Sequence, residues 1–207
     1  MKRQQVIMFL TAALLAAVVF ADSGSNDLVA VTSINNCIRL DIRYATTNNF
    51  TGKQVYPCAK AYLHKLTAVK LDNVQKKLKS KDFGLKVYDA YRPLSVQKIF
   101  WAIMPDERYV ADPEKGSRHN RGSAVDVTLV ELQSGRELEM PSGYDDFTAQ
   151  AHYACTNLPP AAISNRALLR ATMSECSFVP FETEWWHFDD ADWESYPILD
   201  IPLESLP

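Results

Sequence analysis

The chain is poor in several things, and each scarcity narrows what it can be. Glycine is rare, seven in 207 residues, and 47% of the chain is apolar. That length supports one sizeable core and is too short for two comfortable domains. There is no low-complexity tract, no internal repeat and no basic run, and the formal net charge is −3. Nucleic acid is therefore not an expected partner. The four cysteines, Cys37, Cys58, Cys155 and Cys176, include no pair at CxxC-like spacing, which argues against a cysteine-based zinc site. Long hydrophobic runs are also missing: the uncharged stretch from Val6 to Phe20 has 15 residues, short of the ~20 a spanning helix needs.

That stretch is better explained as a targeting segment. Lys2 and Arg3 precede it, and Val19-Phe20-Ala21 places small residues where a signal peptidase reads. Residues 1–21 are thus expected to be removed. Cleavage leaves 207 − 21 = 186 residues, a single domain over 22–207, and takes the formal charge from −3 to −5 by loss of two positive residues. The alternative is an uncleaved anchor. The mature chain is expected to be exported, to a periplasm-like compartment, with no stable membrane insertion. Such compartments permit disulfides. Four cysteines allow three connectivities; the local pairs Cys37–Cys58 and Cys155–Cys176 are favoured, with free buried thiols as the alternative.

Two short segments carry the chemistry. SRHNRGSAVD at 117–126 and ETEWWH at 182–187 together supply His119, Asp126, Glu184 and His187. Two imidazoles and one carboxylate suit a catalytic zinc site, which keeps three protein ligands and one open position. A further carboxylate, Glu184, is placed to act as base toward a water acidified by the metal. The set points to metal-assisted hydrolysis with one Zn²⁺ per chain. A lone histidine is more often structural than a ligand, so local context matters. Gly122 permits a tight turn or close backbone approach. Val125 to Val130 alternates like a half-buried strand with Asp126 and Thr128 on one face.

A coarse pass places these motifs. Asn36 to Tyr44 alternates enough to read as a strand. Ala68, Leu71, Val74 and Leu78 recur at helical spacing in a lysine-rich stretch. A strand over Leu85–Tyr88 leads into Asp89-Ala90-Tyr91-Arg92-Pro93, and Arg92, preceding proline, should be extended. Ser95 is expected to cap a helix carrying Val96, Phe100, Ile103 and Met104, stopped by Pro105. A further helix is expected from Ser164 to about Glu175. The fold class is α+β, a small, mostly antiparallel sheet with flanking helices. One geometric problem stands out. On a regular strand Glu184 and His187 point to opposite faces, so a bulge or a helical turn is expected across Trp185-Trp186 if both face one metal. The two tryptophans are expected to be core packing that stiffens the site.

The order His-x6-Asp followed by Glu-x2-His, with Tyr-Arg-Pro upstream, resembles the zinc D-Ala-D-Ala dipeptidases of the VanX type. The likeness extends to DIRYATTNNFTG at 41–52, YDAYRP at 88–93, SRHNRGSAVDVTL at 117–129, MPSGYDDF at 140–147 and EWWHF at 184–188. It implies the small zinc-peptidase fold shared with hedgehog N-terminal domains. It also implies that His119, Asp126 and His187 hold zinc, that Glu184 is the base, and that Arg92 stabilises the oxyanion. By the same carry-over Asp145 anchors the substrate ammonium, with Asp146 as its rival, while Tyr44 and Ser117 match pocket positions. His64 and His152 match nothing and are expected on the surface or a helix. The implied substrate is D-alanyl-D-alanine, which an exported enzyme meets among cell-wall precursors and breakdown products, in remodelling or recycling. A carboxypeptidase or endopeptidase on longer wall peptides, and a non-catalytic zinc-stabilised binding module, remain the alternatives. Oligomeric state is left open.

Overall fold

A central strand buried on both faces organises the molecule. In the computed structural model, which describes residues 27–207, that strand is β5 (Ala124–Glu131), seven of whose eight residues are buried. It is flanked by β4 (Phe83–Asp89) and β7 (Glu184–Asp190), both antiparallel to it. β2 (Arg39–Leu40) adds in parallel to β4, and β6 (Phe178–Phe181) adds antiparallel to β7. The five-stranded order is β2-β4-β5-β7-β6. A second, two-stranded ribbon joins β1 (Leu28–Ala30) to β3 (Tyr62–His64). The α+β class and the mostly antiparallel sheet expected from the sequence are thus present. The half-buried expectation for β5 is corrected, because a strand covered on both edges and both faces must be buried throughout.

Helices α2 (Lys65–Lys79) and α4 (Pro160–Ser174) pack against the sheet and against each other. α2 is amphipathic as its spacing predicts: Ala68, Leu71, Val74 and Leu78 are all buried. Its N-terminus is capped by His64, whose Nδ1 accepts from the Leu66 amide at 3.3 Å. His64 is half-buried and stacks on Tyr196 with ring centroids 3.8 Å apart. His64, expected on the surface or a helix, thus stands half-buried at the start of one. His152 is also partly buried, in a 3₁₀ turn that its backbone shares with Ala149–Ala151. α4 begins at Pro160 rather than Ser164; proline at the first helical position lacks only an amide that would go unpaired anyway. Two short helices, α1 (Val31–Ile34) and α3 (Leu94–Ile103), complete the set. α3 starts earlier than expected, at Leu94 with Pro93 at the cap position, so Ser95 lies inside the helix rather than capping it. The Ser95 amide donates to Asp200 Oδ1 at 2.7 Å, a partner 105 residues away that local sequence cannot announce.

The strand expected over Asn36–Tyr44 shrinks to β2. Arg43–Ala45 is instead a 3₁₀ turn, which buries Tyr44 and directs the following loop toward the sheet. Gly122 behaves as its position suggested. It sits at φ 65°, and a Cβ there would lie 2.8 Å from the His64 backbone nitrogen. The His64 amide also donates to the Gly122 carbonyl at 2.8 Å, so the turn locks the 119–122 segment onto β3.

All four cysteines are free thiols, so the two expected bridges do not form. For Cys155 and Cys176 the reason is geometric. They flank α4, whose fifteen residues separate its ends by ~22 Å at ~1.5 Å rise per residue, against the ~7 Å Cα limit of a disulfide. Cys37 is exposed, with its thiol toward Asn36 Oδ1 at 3.8 Å, and Cys58 is half-buried. The expected targeting segment and its cleavage site lie outside the described residues. Among the described residues no helix is long and apolar enough to cross a membrane.

Candidate metal centre

Three neighbouring strands meet at one row of residues. Asp126 on β5 lies opposite Asp89 on β4 and opposite His187 on β7. Residues directly opposed across a sheet share a face, so these three side chains project together. The row depends on a local irregularity. From Val87 to Asp89 the β4 chain advances two residues while β5 advances one, from Val127 to Asp126. This bulge turns Asp89, rather than Tyr88, toward Asp126. β7 carries a second irregularity where the sequence required one: Pro180 pairs with Phe188 and the next β6 residue, Phe181, pairs with Glu184. Three extra β7 residues, 185 to 187, are thereby accommodated, and Glu184 and His187 both line the same pocket.

His119 enters from the 3₁₀ turn His119–Arg121 just before β5. Its Nε2 lies 3.2 Å from His187 Nδ1 and 3.5 Å from Asp126 Oδ1, and His187 Nδ1 lies 3.0 Å from Asp126 Oδ1. Tetrahedral ligands at ~2.0–2.1 Å from a zinc ion stand ~3.3 Å apart. The three atoms are therefore spaced as a metal's ligands are. The remaining ring nitrogens fix the tautomers. His119 Nδ1–H donates to the Ala90 carbonyl at 2.7 Å, and His187 Nε2–H donates to Asp189 Oδ1 at 2.9 Å. Each ring thus turns a lone pair toward Asp126, with the outer hydrogen bond typical of metal-ligating histidines. Burial opposes ionisation of Asp126, but the two imidazoles hold its carboxyl well below the usual carboxylate range. Among the described residues, this trio forms a group of histidine and carboxylate atoms able to hold a metal ion.

Glu184 is buried, with Oε2 3.9 Å from His187 Nδ1. Burial pushes its carboxyl up to about 8 against the pull of His187, into the range where a carboxylate both takes and returns a proton near neutrality. Trp185 and Trp186 are each 1% exposed, and burying ~200 Å² each is worth roughly 5 kcal/mol as an upper bound. Trp185 Nε1 donates to Ser142 Oγ at 3.0 Å, and Trp186 meets Tyr144 edge-on at 5.4 Å. They stiffen the segment as expected, with Trp186 also lining the pocket.

Arg92 lies three residues beyond β4, buried in the pocket wall. Its Nε and Nη2 donate to Asp89 Oδ2 at 3.1 and 2.7 Å, and its Nη1 donates to Gln97 Oε1 at 2.9 Å. Three of the five guanidinium N–H groups are used, leaving 5 − 3 = 2 free. Asp89 is itself saturated, accepting additionally from the Tyr56 hydroxyl at 2.8 Å and the Ala90 amide at 2.9 Å. Such a fully paired buried network holds the guanidinium in one orientation.

Asp145 lies in the pocket wall and Asp146 does not. Asp146 spends its Oδ1 on the Thr148 amide at 3.0 Å. Asp145 adopts φ 59°, an unusual conformation for a residue with a side chain. It accepts from the Tyr44 hydroxyl at 3.1 Å and from the Phe50 amide at 3.0 Å. Burial pushes its carboxyl up to about 7, partly offset by the Phe50 amide. Tyr44 is thus positioned by Asp145 rather than free to contact a ligand alone. Ser117 is buried in the pocket lining next to His119, with Oγ accepting from the His119 amide at 3.2 Å, so its own hydroxyl proton stays available.

The family model described as D-ala-D-ala dipeptidase, within peptidase family M15, matches residues 24–200. This chain belongs to that family. A D-alanyl-D-alanine dipeptidase of Escherichia coli K12 is 37% identical over 177 residues, covering 86% of this chain and 91% of the relative. Enzymes of the same name from Enterococcus faecalis and Streptomyces coelicolor are 33% and 32% identical, covering 77% and 79% of this chain and 89% and 91% of their own lengths. Membership makes this chain a metallopeptidase. Sequence reasoning missed three residues that support its site: Asp89, Asp189 and Tyr144. Each carried a signal. Asp89 precedes Arg92 by three in a turn, Asp189 follows His187 by two on a strand and so shares its face, and Tyr144 adjoins Asp145.

Proposed function

We propose that the chain hydrolyses free D-alanyl-D-alanine to two D-alanines, using one zinc ion held by His119, Asp126 and His187. The observation that carries this reading is the convergence of His119 Nε2, Asp126 Oδ1 and His187 Nδ1 in a pocket that also contains Glu184, Arg92 and Asp145. The names of its relatives supply the substrate class. The nitrogen and oxygen donor set suits zinc.

When bound, the metal supplies Lewis-acid polarisation of the scissile carbonyl and acidification of a water. The protein residues do the rest. Asp145 receives the substrate ammonium, and the Ser117 hydroxyl, which accepts from the His119 amide, keeps its own proton for a substrate oxygen. Glu184 removes a proton from the attacking water and returns it to the leaving amine. Arg92 directs its two unused N–H groups at the oxyanion, a fixed positive charge aimed at developing negative charge. The aromatic walls from Phe50, Phe100, Phe147 and Trp186 exclude water and strengthen these interactions.

Two readings compete. A carboxypeptidase or endopeptidase would use the same metal, but a buried acid at the amine position disfavours a substrate whose nitrogen is acylated. A purely structural zinc would need neither a buried base at Glu184 nor a tethered Arg92. The charged leader Lys2-Arg3 and the apolar run behind it support export, where wall-derived dipeptides are the available substrate. The test is release of D-alanine from the free dipeptide by purified protein, with elemental analysis for about one zinc per chain. Cleavage of N-acetylated or longer peptides at the rate of the free dipeptide would replace this reading with the carboxypeptidase one.

A further inference from the structure

Three arginines line the pocket, and they are not equivalent. Arg92 is tied to Asp89 and Gln97. Arg108 is tied to Asp106, with Nε 2.9 Å from its Oδ1. Arg118 makes no side-chain hydrogen bond among the described residues. Its Nε is buried without a partner, and the nearest carboxylate oxygen, Asp189 Oδ2, stands off at 3.7 Å, beyond hydrogen-bonding range. The guanidinium is nonetheless held in place, its Cζ 4.6 Å from the centre of the Trp193 ring, a stacking arrangement that orients the planar fork without consuming its donors. Buried polar atoms of folded proteins are almost always paired, and an exception needs an explanation.

The pocket's charges supply one. Glu107 is occupied by Lys115 at 2.7 and 2.8 Å, and Asp189 is occupied by His187. Asp145 is a buried acid bonded only by a neutral hydroxyl and an amide, and Arg118, partly exposed, is a pocket cation with no hydrogen-bonded partner, its closest carboxylate being Asp189 at 3.7 Å. Both line the pocket but keep different neighbours, Asp145 with Tyr44 and Phe50 and Arg118 with Trp193 and the His187–Asp189 pair. We infer that Arg118 binds the C-terminal carboxylate of the substrate through its guanidinium fork, with the adjacent Ser117 hydroxyl as a further donor. The inference rests on the peptidase reading above and adds what sets the length of its substrate. An acid for the ammonium and a fork for the carboxylate measure a zwitterion end to end, which selects a dipeptide by two opposite charges rather than by steric exclusion alone.

The test compares each peptide as free acid and as C-terminal amide, using D-Ala-D-Ala and an N-acetylated D-Ala-D-Ala-terminated tripeptide, for wild type, R118Q and R118K. Wild type should lose about a hundredfold in kcat/KM on amidation, the cost of leaving a charged site unpaired. R118Q should lose a similar factor on the acid and little on the amide, so that the acid-to-amide ratio falls toward one. R118K should recover only part of the ratio, because a point charge cannot form a bidentate fork. If Arg118 acts only through Asp189 on His187, R118Q slows acid and amide alike and the ratio stays at its wild-type value, which overturns the inference. Thermal melting of each variant separates misfolding from lost recognition, since the ratio is read only on folded protein. Should wild type cleave the tripeptide acid and not the dipeptide, the dipeptidase reading fails while the ratio still reports on Arg118. Wild type cleaving none of the four would overturn both.

Discussion

Tyr144 donates its hydroxyl to Asp126 Oδ2 at 2.8 Å, the carboxylate oxygen opposite the one shared by the two imidazoles. Asp126 therefore offers a single oxygen to a metal, with its second oxygen already engaged. Tyr144→Phe keeps the ring against Tyr88 and Trp186 and removes only that bond. Metal affinity should drop by ~10- to 100-fold, the usual effect of losing an outer-shell partner. Competition against a chromogenic chelator measures it, and an unchanged dissociation constant would remove Tyr144 from the metal's support.

Glu184→Gln should separate metal binding from turnover. The amide fills the same space, and Glu184 is not among the three converging ligand atoms, so zinc content should stay near that of wild type. Turnover should fall by a factor on the order of 10² to 10⁴, the range that general acid–base catalysis supplies. A variant with ordinary kcat would end the case for Glu184 as base.

Asp145 sets a pH dependence with a definite sign. Its folded-state carboxyl is raised to about 7 from 3.8, and only the ionised form pairs with an ammonium. kcat/KM for the free dipeptide should therefore fall as pH drops through about 7, beyond the fall that protonation of Glu184 sets near 8, and Asp145→Asn should remove the lower step while raising KM. Stability runs the other way. The folded state holds the proton more tightly than the unfolded chain, so this group's contribution is complete below pH ~4 and is lost as pH rises toward 7. Asp145→Asn should flatten the denaturation midpoint between those values, and a wild-type midpoint that climbs across that window in step with Asp145 titration would contradict the assignment.

Gly122→Ala is expected to be costly out of proportion to its size. The left-handed backbone costs a side-chain-bearing residue roughly 1–2 kcal/mol, and the new methyl would meet backbone at the His64 nitrogen, which has little freedom to retreat. Urea unfolding should show a loss of about 2 kcal/mol or more. Because the same turn delivers His119, metal affinity should weaken alongside. A variant as stable as wild type would mean the turn relaxes more readily than its packing implies.

The ligands and base were legible because they lie in two short segments, and Glu184–His187 even announced its own irregularity: a spacing of three on a strand required a break in register, and β7 has one. The core helices were legible from periodicity. What sequence could not reveal were partners distant along the chain. The Asp200 cap on Ser95, the Phe50 amide on Asp145 and the Tyr144 bond to Asp126 join segments 105, 95 and 18 residues apart. Asp89 was visible only as a neighbour of Arg92, since its role arises from the bulge at Tyr88. The disulfide expectation failed for a related reason: closeness in sequence was taken for closeness in space, and α4 holds Cys155 and Cys176 apart.

The alignment of Asp89, Asp126 and His187 across three strands makes the catalytic centre a proofreader of its own sheet. A slip of one residue in either pairing sends a side chain to the opposite face, so a mispaired molecule cannot assemble the ligand set at all. Assembly of the metal-ligand group and correct strand register are thus one property of the chain seen from two sides. A population that folds with shifted strands would lack a site for a metal, however native its overall secondary-structure content.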